Sequence, residues 1–236
     1  MNRRNCMEDI RGRHELKYYI SYFDFLSLKS KIRHVMEVDR NAYVNGEYEI
    51  ISLYFDDIYN SAFREKISGT NNRTKYRIRI YNFSDNVIKL QKKAKSGDLT
   101  QKVSRIISRD KYEEIMKGRA SFLLEERPHE FIDFYEGIKN RTLKPKVLVR
   151  YNREAYCLRA ANLRITFDRN LSTGNNNLDL FDRNGSFTCP ESNLMILEIK
   201  YDGFFPSHIK SIVQSNSRLR SSASKYVLGR KFNYLY

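Results

Sequence analysis

The sequence has no tryptophan, only four prolines and only three cysteines in 236 residues. Cys6, Cys157 and Cys189 are odd in number and far apart, with no CxxC and no Cys/His group at zinc spacing. They predict a reducing, cytoplasmic setting rather than a disulfide framework. No apolar run approaches the ~20 residues that a spanning helix needs. The N-terminus, Met1 to Asp9, is charged and lacks the apolar stretch of a signal peptide. The expectation is a protein without a transmembrane segment of its own, with a membrane-bound or other partner protein left open.

What is abundant is positive charge. Lys and Arg number 43 against 28 Asp and Glu, a net charge of +15. That points to a polyanion: nucleic acid, an anionic membrane or a phosphate polymer. At 41% hydrophobic residues the chain can build a real core, and a barrel of this length is commonly one domain. The 17 Tyr and 14 Phe have two readings, platforms for bases or core, and at this density core is the commoner one.

The most informative stretch is Arg73 to Lys93. Lys75, Arg77 and Arg79 alternate with Tyr76, Ile78 and Ile80, the period of a strand with one cationic and one apolar face. Ser84-Asp85-Asn86 predicts the turn of a hairpin, and Lys89, Gln91 and Lys93 share a face on the returning arm. Like charges across a strand pair repel, so an anion is needed to compensate them. A solvent-facing row on an edge strand is the competing reading of this hairpin alone.

The same alternation recurs. Strands are expected over residues 13–20, 48–55, 100–107, 147–156, 163–169 and 194–201. Helices are expected over 21–38, 60–67, 110–117, 122–138 with a break at Pro128, and 206–213. Asp57 reads as the cap of the 60–67 helix rather than, with Asp56, a metal pair. Residues 172–177 read as a Gly/Asn-rich loop and 178–192 as irregular, with a break at Pro190. Residues 1–11 read as a mobile tail and 12–236 as a single domain. Strands that are apolar on one side and charged on the other can put the charges outside or inside. The helices carry apolar stripes that need a sheet to cover, which favours charges inside. The predicted class is α+β: an antiparallel, eight-stranded, tunnel-like β-barrel with helices packed on the outside. Forked Arg donors and Lys point charges within it suit a polyphosphate chain. Nucleic acid is not expected, because the aromatics alternate away from the cations.

Eight segments in order carry a family likeness: Arg13–Tyr18, Ser52–Asp56, Lys75–Arg79, Lys89–Lys93, Arg150–Tyr156, Arg164–Leu171, Leu197–Asp202 and Ser222–Tyr226. Over about residues 12–230 the chain resembles the polyphosphate polymerase domain of the vacuolar transporter chaperone (VTC) complex, within the CYTH or triphosphate tunnel superfamily, and in particular its bacterial stand-alone members. The resemblance implies transfer of the γ-phosphate of ATP to a growing inorganic polyphosphate chain, dependent on Mn²⁺ or Mg²⁺. It places Arg77, Arg79, Arg153 and Arg164 on the reacting phosphates with Lys200 beside them. Lys17, Lys89, Lys93 and Lys102 then line the wall, joined by Lys75 from the hairpin face, with Ser224 and Lys225 at the wall or mouth. Glu198 takes the metal position, with Glu15 assisting. Asp168 either orients Arg164 or lies near the metal. Gln91 departs from the pattern, because related sequences carry Glu there. Two alternatives stand beside the polymerase: a metal-dependent tripolyphosphate or nucleoside-triphosphate hydrolase, and a polyphosphate-binding module without turnover.

Overall fold

The computed structural model describes residues 13–40, 42, 46–97, 99–125, 130–174, 177–189, 194–214 and 221–234. The expected tail and the breaks at Pro128 and Pro190 lie outside them. Ten strands run as β1 His14–Ile20, β2 Glu37–Val38, β3 Glu47–Asp57, β4 Arg73–Tyr81, β5 Ser84–Ser96, β6 Leu99–Ile107, β7 Leu143–Leu158, β8 Leu163–Gly174, β9 Phe187–Thr188 and β10 Met195–Tyr201. The helices are α1 Tyr22–Ile32, α2 Ser61–Ile67, α3 Arg109–Met116, α4 Phe122–Glu125, α5 Ile132–Lys139, α6 Ser207–Val213 and α7 Lys225–Tyr234.

The main sheet is antiparallel in the order β1-β10-β8-β7-β3-β4-β5-β6, with β2 and β9 added to β7 and β8. Its two edges meet where Arg13 N–H donates to the Thr100 carbonyl at 3.3 Å. Lys93 of β5 also reaches Glu15 of β1 across that seam, at 2.8 Å. The sheet therefore curls into the expected tunnel-like barrel.

The period of two decides which face is which. Ile51, Leu53, Ile78, Ile80, Ile88 and Leu90 are buried under Tyr112, Ile115, Leu123, Phe134 and Ile138 of α3–α5. On the other side Ile165, Phe167, Leu197 and Ile199 pack under Phe25, Leu28 and Ile32 of α1 and Ile209 and Val213 of α6. The apolar rows thus meet the covering helices, leaving the intervening residues to the inside.

One helix was not read from the sequence. Tyr226 and Val227 of α7 pack with Tyr48, Ile50, Val147, Val149, Tyr151 and Leu171, which face the interior. The approach is close. A Cβ on Gly229 would stand 3.0 Å from Val149 Cγ2 and 3.1 Å from Val147 Cγ2. α7 therefore fills part of the barrel that the strands alone leave apolar and uncovered.

Several boundaries differ from expectation, each for a local reason. The β4–β5 turn falls at Asn82–Phe83, two residues ahead of Ser84, with φ of 52° and 53°. Asn82 suits that left-handed turn, and its side chain accepts from Glu49 N–H at 2.7 Å. The first helix stops at Ile32, and Glu37–Val38 is drawn into pairing with Cys157 and Tyr156. Residues 172–174 continue β8 instead of forming a loop, because Ser172 and Thr173 pair with Arg150 and Val149. The 122–138 region is two short helices, α4 and α5. Asn60, at φ 56°, holds the position before α2 without a side-chain cap bond. Both acids serve that helix: Asp57 accepts from Ser61 N–H at 2.8 Å, and Asp56 accepts from Ala62 and Phe63 N–H at 3.0 Å each. Among the described residues no helix is long and apolar enough to cross a membrane.

Candidate functional site

A cavity of about 420 Å³ occupies the interior beside α7. The β4–β5 hairpin supplies Lys75, Arg77, Arg79 and Lys93; β1 supplies Glu15 and Lys17; β10 supplies Glu198 and Lys200. Arg153 and Tyr151 enter from β7, Tyr54 from β3, and Ser224, Lys225 and Tyr226 from the start of α7. Residues far apart in sequence meet here because the curled sheet brings both of its edges to one seam.

Two carboxylates lie within this crowd of cations. Glu198 is 3.3 Å from Lys17 Nζ, 3.4 Å from Lys200 Nζ and 3.6 Å from Arg153. Glu15 is 2.8 Å from Lys93 and 3.8 Å from Lys17. Burial pushes the Glu15 carboxyl up, but Lys93 and the other lysines outweigh it and hold the group at about 2. Burial likewise opposes ionisation of Glu198, and Lys200 and Lys17 overrule it, keeping it well below the usual carboxylate range. Lys17, between the two acids, is raised despite its burial. Burial wins at Lys93 and Lys200, which both fall to about 8 despite Glu15 and Glu198. Lys75 falls to about 7 through burial and the nearby charges of Lys66, Lys17, Arg73 and Lys93. Two acids cannot compensate this many bases, and the surplus is positive.

The arginines are aimed mainly by neutral partners, which fix geometry without cancelling charge. Arg79 donates to Ser52 Oγ and to Tyr151 Oη, both at 3.0 Å. Arg77 donates to Gln91 Oε1 at 2.8 Å and to Tyr54 Oη at 3.3 Å. Gln91 is buried, and its Nε2 donates to Ser104 Oγ at 2.9 Å, so it stands behind Arg77 as a brace and not on the cavity wall. Arg153 forks onto Asp168 at 2.6 and 2.7 Å, and Lys225 reaches the same acid at 2.6 Å. Asp168 is pushed up by burial but brought down to about 2 by Arg153 and Lys225. It therefore orients Arg153 and Lys225; the two roles expected from the sequence were orienting Arg164 or lying near the metal.

Arg164, Lys89 and Lys102 do not line this cavity. Arg164 pairs with Asp39 and donates to Tyr48 Oη at 2.9 Å. Lys89 lies 5.8 Å from the Tyr81 ring centroid. Lys102 is exposed, opposite Lys93 in the β5–β6 register. Lys89 and Lys102 share strand faces with the lining residues Lys93 and Thr100, and Arg164 stands opposite Lys200 in the β10–β8 register. Lys66, Arg73, Lys95, Tyr54, Tyr151 and Tyr226 line the cavity without having been singled out from the sequence. Arg73 and Lys95 extend the alternation of Lys75 and Lys93, so a longer count would have found them. Lys66 sits on a helix, where no alternation points inward.

Among the described residues no three His, Cys, Asp or Glu side chains converge as a metal cage. Glu15 and Glu198 are still two oxygen donors facing one cavity. That set fits a hard divalent cation that takes most of its ligands from phosphate oxygens and water, as Mg²⁺ does with one or two carboxylates. It does not fit a cation held by protein alone.

The sequence matches the VTC domain family over residues 12–234. No curated protein matches it significantly. Among solved structures, a Hippeastrum protein, named for adenylyl cyclase and described as having a dominant triphosphatase activity, superposes with a TM-score of 0.57 at 14% identity, covering 94% of this chain and 95% of its own. A candidate adenylate cyclase of Bacillus halodurans superposes with a TM-score of 0.50 at 12% identity, covering 86% of this chain and 87% of its own. At these identities the likeness is one of fold, an antiparallel sheet curled into a tunnel-like barrel. The family match spans nearly the whole chain, and the chain belongs to the VTC domain family.

Proposed function

We propose that the protein is a polyphosphate polymerase that moves the terminal phosphate of ATP onto the end of a polyphosphate chain, releasing ADP. The observation that carries this reading is the length of the cationic track. Arg73, Lys75, Arg77 and Arg79 all line the cavity, and six residues of strand at about 3.3 Å each give a row of roughly 20 Å. Such a row exceeds what one triphosphate needs and suits a donor and an acceptor chain held end to end.

A terminal phosphate oxygen is already an anionic nucleophile, so the acceptor chain needs no added activation. The chain's residues hold two polyanions together and neutralise charge on the phosphoryl group in transit. Arg77 and Arg79 are braced for that role, and Arg153 is held in it by Asp168. Lys17, Lys75, Lys93, Lys200 and Lys225 neutralise the phosphates along the wall, while Arg164, Lys89 and Lys102 extend the track. Ser224 adds a hydroxyl beside Lys75. Glu198, with Glu15, would hold Mg²⁺ or Mn²⁺, which would supply further charge neutralisation to the phosphates.

The test follows ADP, free phosphate and long-chain polyphosphate together after mixing the protein with ATP and either metal. ADP with polymer is expected. ADP with free phosphate assigns a hydrolase, and retained polyphosphate without either product assigns a binding module.

A further inference from the structure

Ser224 and Lys75 form a pair that charge neutralisation alone does not require. Lys75 Nζ lies 3.2 Å from Ser224 Oγ. Ser224 opens α7: its carbonyl accepts from Leu228 N–H at 2.9 Å, and its Oγ accepts from Val227 N–H at 3.4 Å. A hydroxyl has one proton to give. With Oγ accepting from the helix, that proton is free to point at Lys75.

Lys75 differs from the other lysines on the wall. Lys17, Lys93, Lys200 and Lys225 each reach a carboxylate. Among the described residues Lys75 bonds to Ser224 and forms no ion pair. Around it stand the Tyr226 ring, at 5.2 Å to the centroid, and the cations Lys66, Arg73, Lys17 and Lys93. Burial and those charges hold it at about 7, so near neutral pH a large fraction is free amine. A helix cap explains the Val227 bond, but it does not explain a lysine without a carboxylate partner placed on the cap's hydroxyl. An alcohol beside a free amine is the arrangement of an activated nucleophile.

We propose that Ser224 is a phosphate acceptor, with Lys75 as its base, and takes a phosphoryl group from a nucleoside triphosphate bound in the cavity. The proposal rests on the phosphoryl-transfer reading above. The Ser224 Oγ–P bond forms as the bridging P–O bond to the β-phosphate breaks. The nucleoside diphosphate leaves with that bond's electron pair, and the hydroxyl proton passes to Lys75 Nζ. The phosphoserine then lies at the N-terminus of α7 beside a charged Lys75, where both the helix and the ammonium stabilise it. It would be either a covalent intermediate or the first unit of a protein-anchored chain.

The full chain, incubated with ATP and Mg²⁺ and quenched in acid during turnover, tests this by intact mass, phosphopeptide mapping and ADP measured in the same sample. One added phosphoryl group on Ser224 is expected. Ser224→Ala should lose it, and Ser224→Thr, which keeps cap and hydroxyl, should carry it on residue 224. Lys75→Arg puts a permanent cation in place of the base, and should label about 100-fold more slowly. ADP with residue 224 unmodified overturns the proposal and leaves phosphoryl transfer standing. Neither ADP nor phosphoserine overturns both. Phosphate on a different residue, or undiminished labelling in Lys75→Arg, overturns the assigned pair.

Discussion

On β7, Val147 and Val149 face the interior, and so do Tyr151 and Arg153 a few residues on, yet the two pairs meet different surroundings. The valines are sealed by α7 at Gly229. Tyr151 and Arg153 look into the cavity, where Arg153 is locked to Asp168. The apolar half of the interior completes itself by packing, each buried side chain contributing about 1.5–3 kcal/mol. The charged half is left incomplete, with more cations than carboxylates. One strand thus carries a region that serves stability and a region held in readiness for an anion. If that division is right, substitutions in the two halves should separate loss of activity from loss of fold.

The largest effect is expected in the charged half. Arg79→Ala removes a buried, doubly braced donor and should lower phosphoryl transfer by about 10²–10³-fold with the melting temperature little changed. Glu198→Ala should abolish turnover measured as ADP release, because it removes the acid that faces Lys17, Lys200 and Arg153. Glu198→Ala turning over near the wild-type rate would take Glu198 out of the metal role. In the apolar half, Gly229→Val drives atoms into Val147 and Val149 and should destabilise by about 1–3 kcal/mol. Its remaining folded fraction should keep its turnover number. A fall in turnover at unchanged melting temperature would mean that the Gly229 turn of α7, and not only its first residues, acts in the site, and the division would fail.

The same division separates what the sequence displayed from what it hid. The inner and outer faces were legible because alternation is strict in Lys75–Ile80, and the helices needed a sheet to cover. The cavity-lining cations on strands followed from the same parity. The α7 packing was not legible: Lys225–Tyr234 is a short helix, and its partner, the inner face of β7 Leu143–Leu158, is far from it in sequence. The role of Gln91 was hidden for another reason. Parity put it on the cationic face, but only side-chain geometry shows it spent on Arg77 and Ser104. For Asp168 the sequence leaves two roles open, orienting Arg164 or lying near a metal, and only the register shows it opposite Arg153 of β7.

Surplus charge should also appear as a dependence on pH. Lys75 is held at about 7 and Lys66 at about 8, both below the ordinary 10.5. Between those values and 10.5 the unfolded chain binds more protons than the folded one, so stability should rise with pH. Below about 7 both lysines are charged and the repulsion is fully present. Tripolyphosphate relieves it. Its increment in melting temperature should therefore be greater near pH 6.5 than near pH 9, by roughly a few degrees. Equal increments at both values would mean that the lysines stay charged throughout and that the surplus does not strain the fold.

The smallest effect is expected at Gln91. Its Oε1 accepts from Arg77 and its Nε2 donates to Ser104, so both ends of the amide are occupied away from the cavity. Gln91→Glu preserves the Arg77 bond, and the Ser104 hydroxyl can turn to donate to the new oxygen. The added charge lands on Arg77, where a charge-assisted bond is about twice as strong as a neutral one and competes with phosphate for the guanidinium. The Michaelis constant for the polyanion should rise by roughly a few-fold, while the metal concentration for half-maximal activity stays within about twofold. A roughly tenfold drop in that metal requirement would show the new carboxylate reaching the cation beside Glu15 and Glu198. The glutamine would then be a lost ligand, and the line drawn between the wall of the cavity and the brace behind it would have to move.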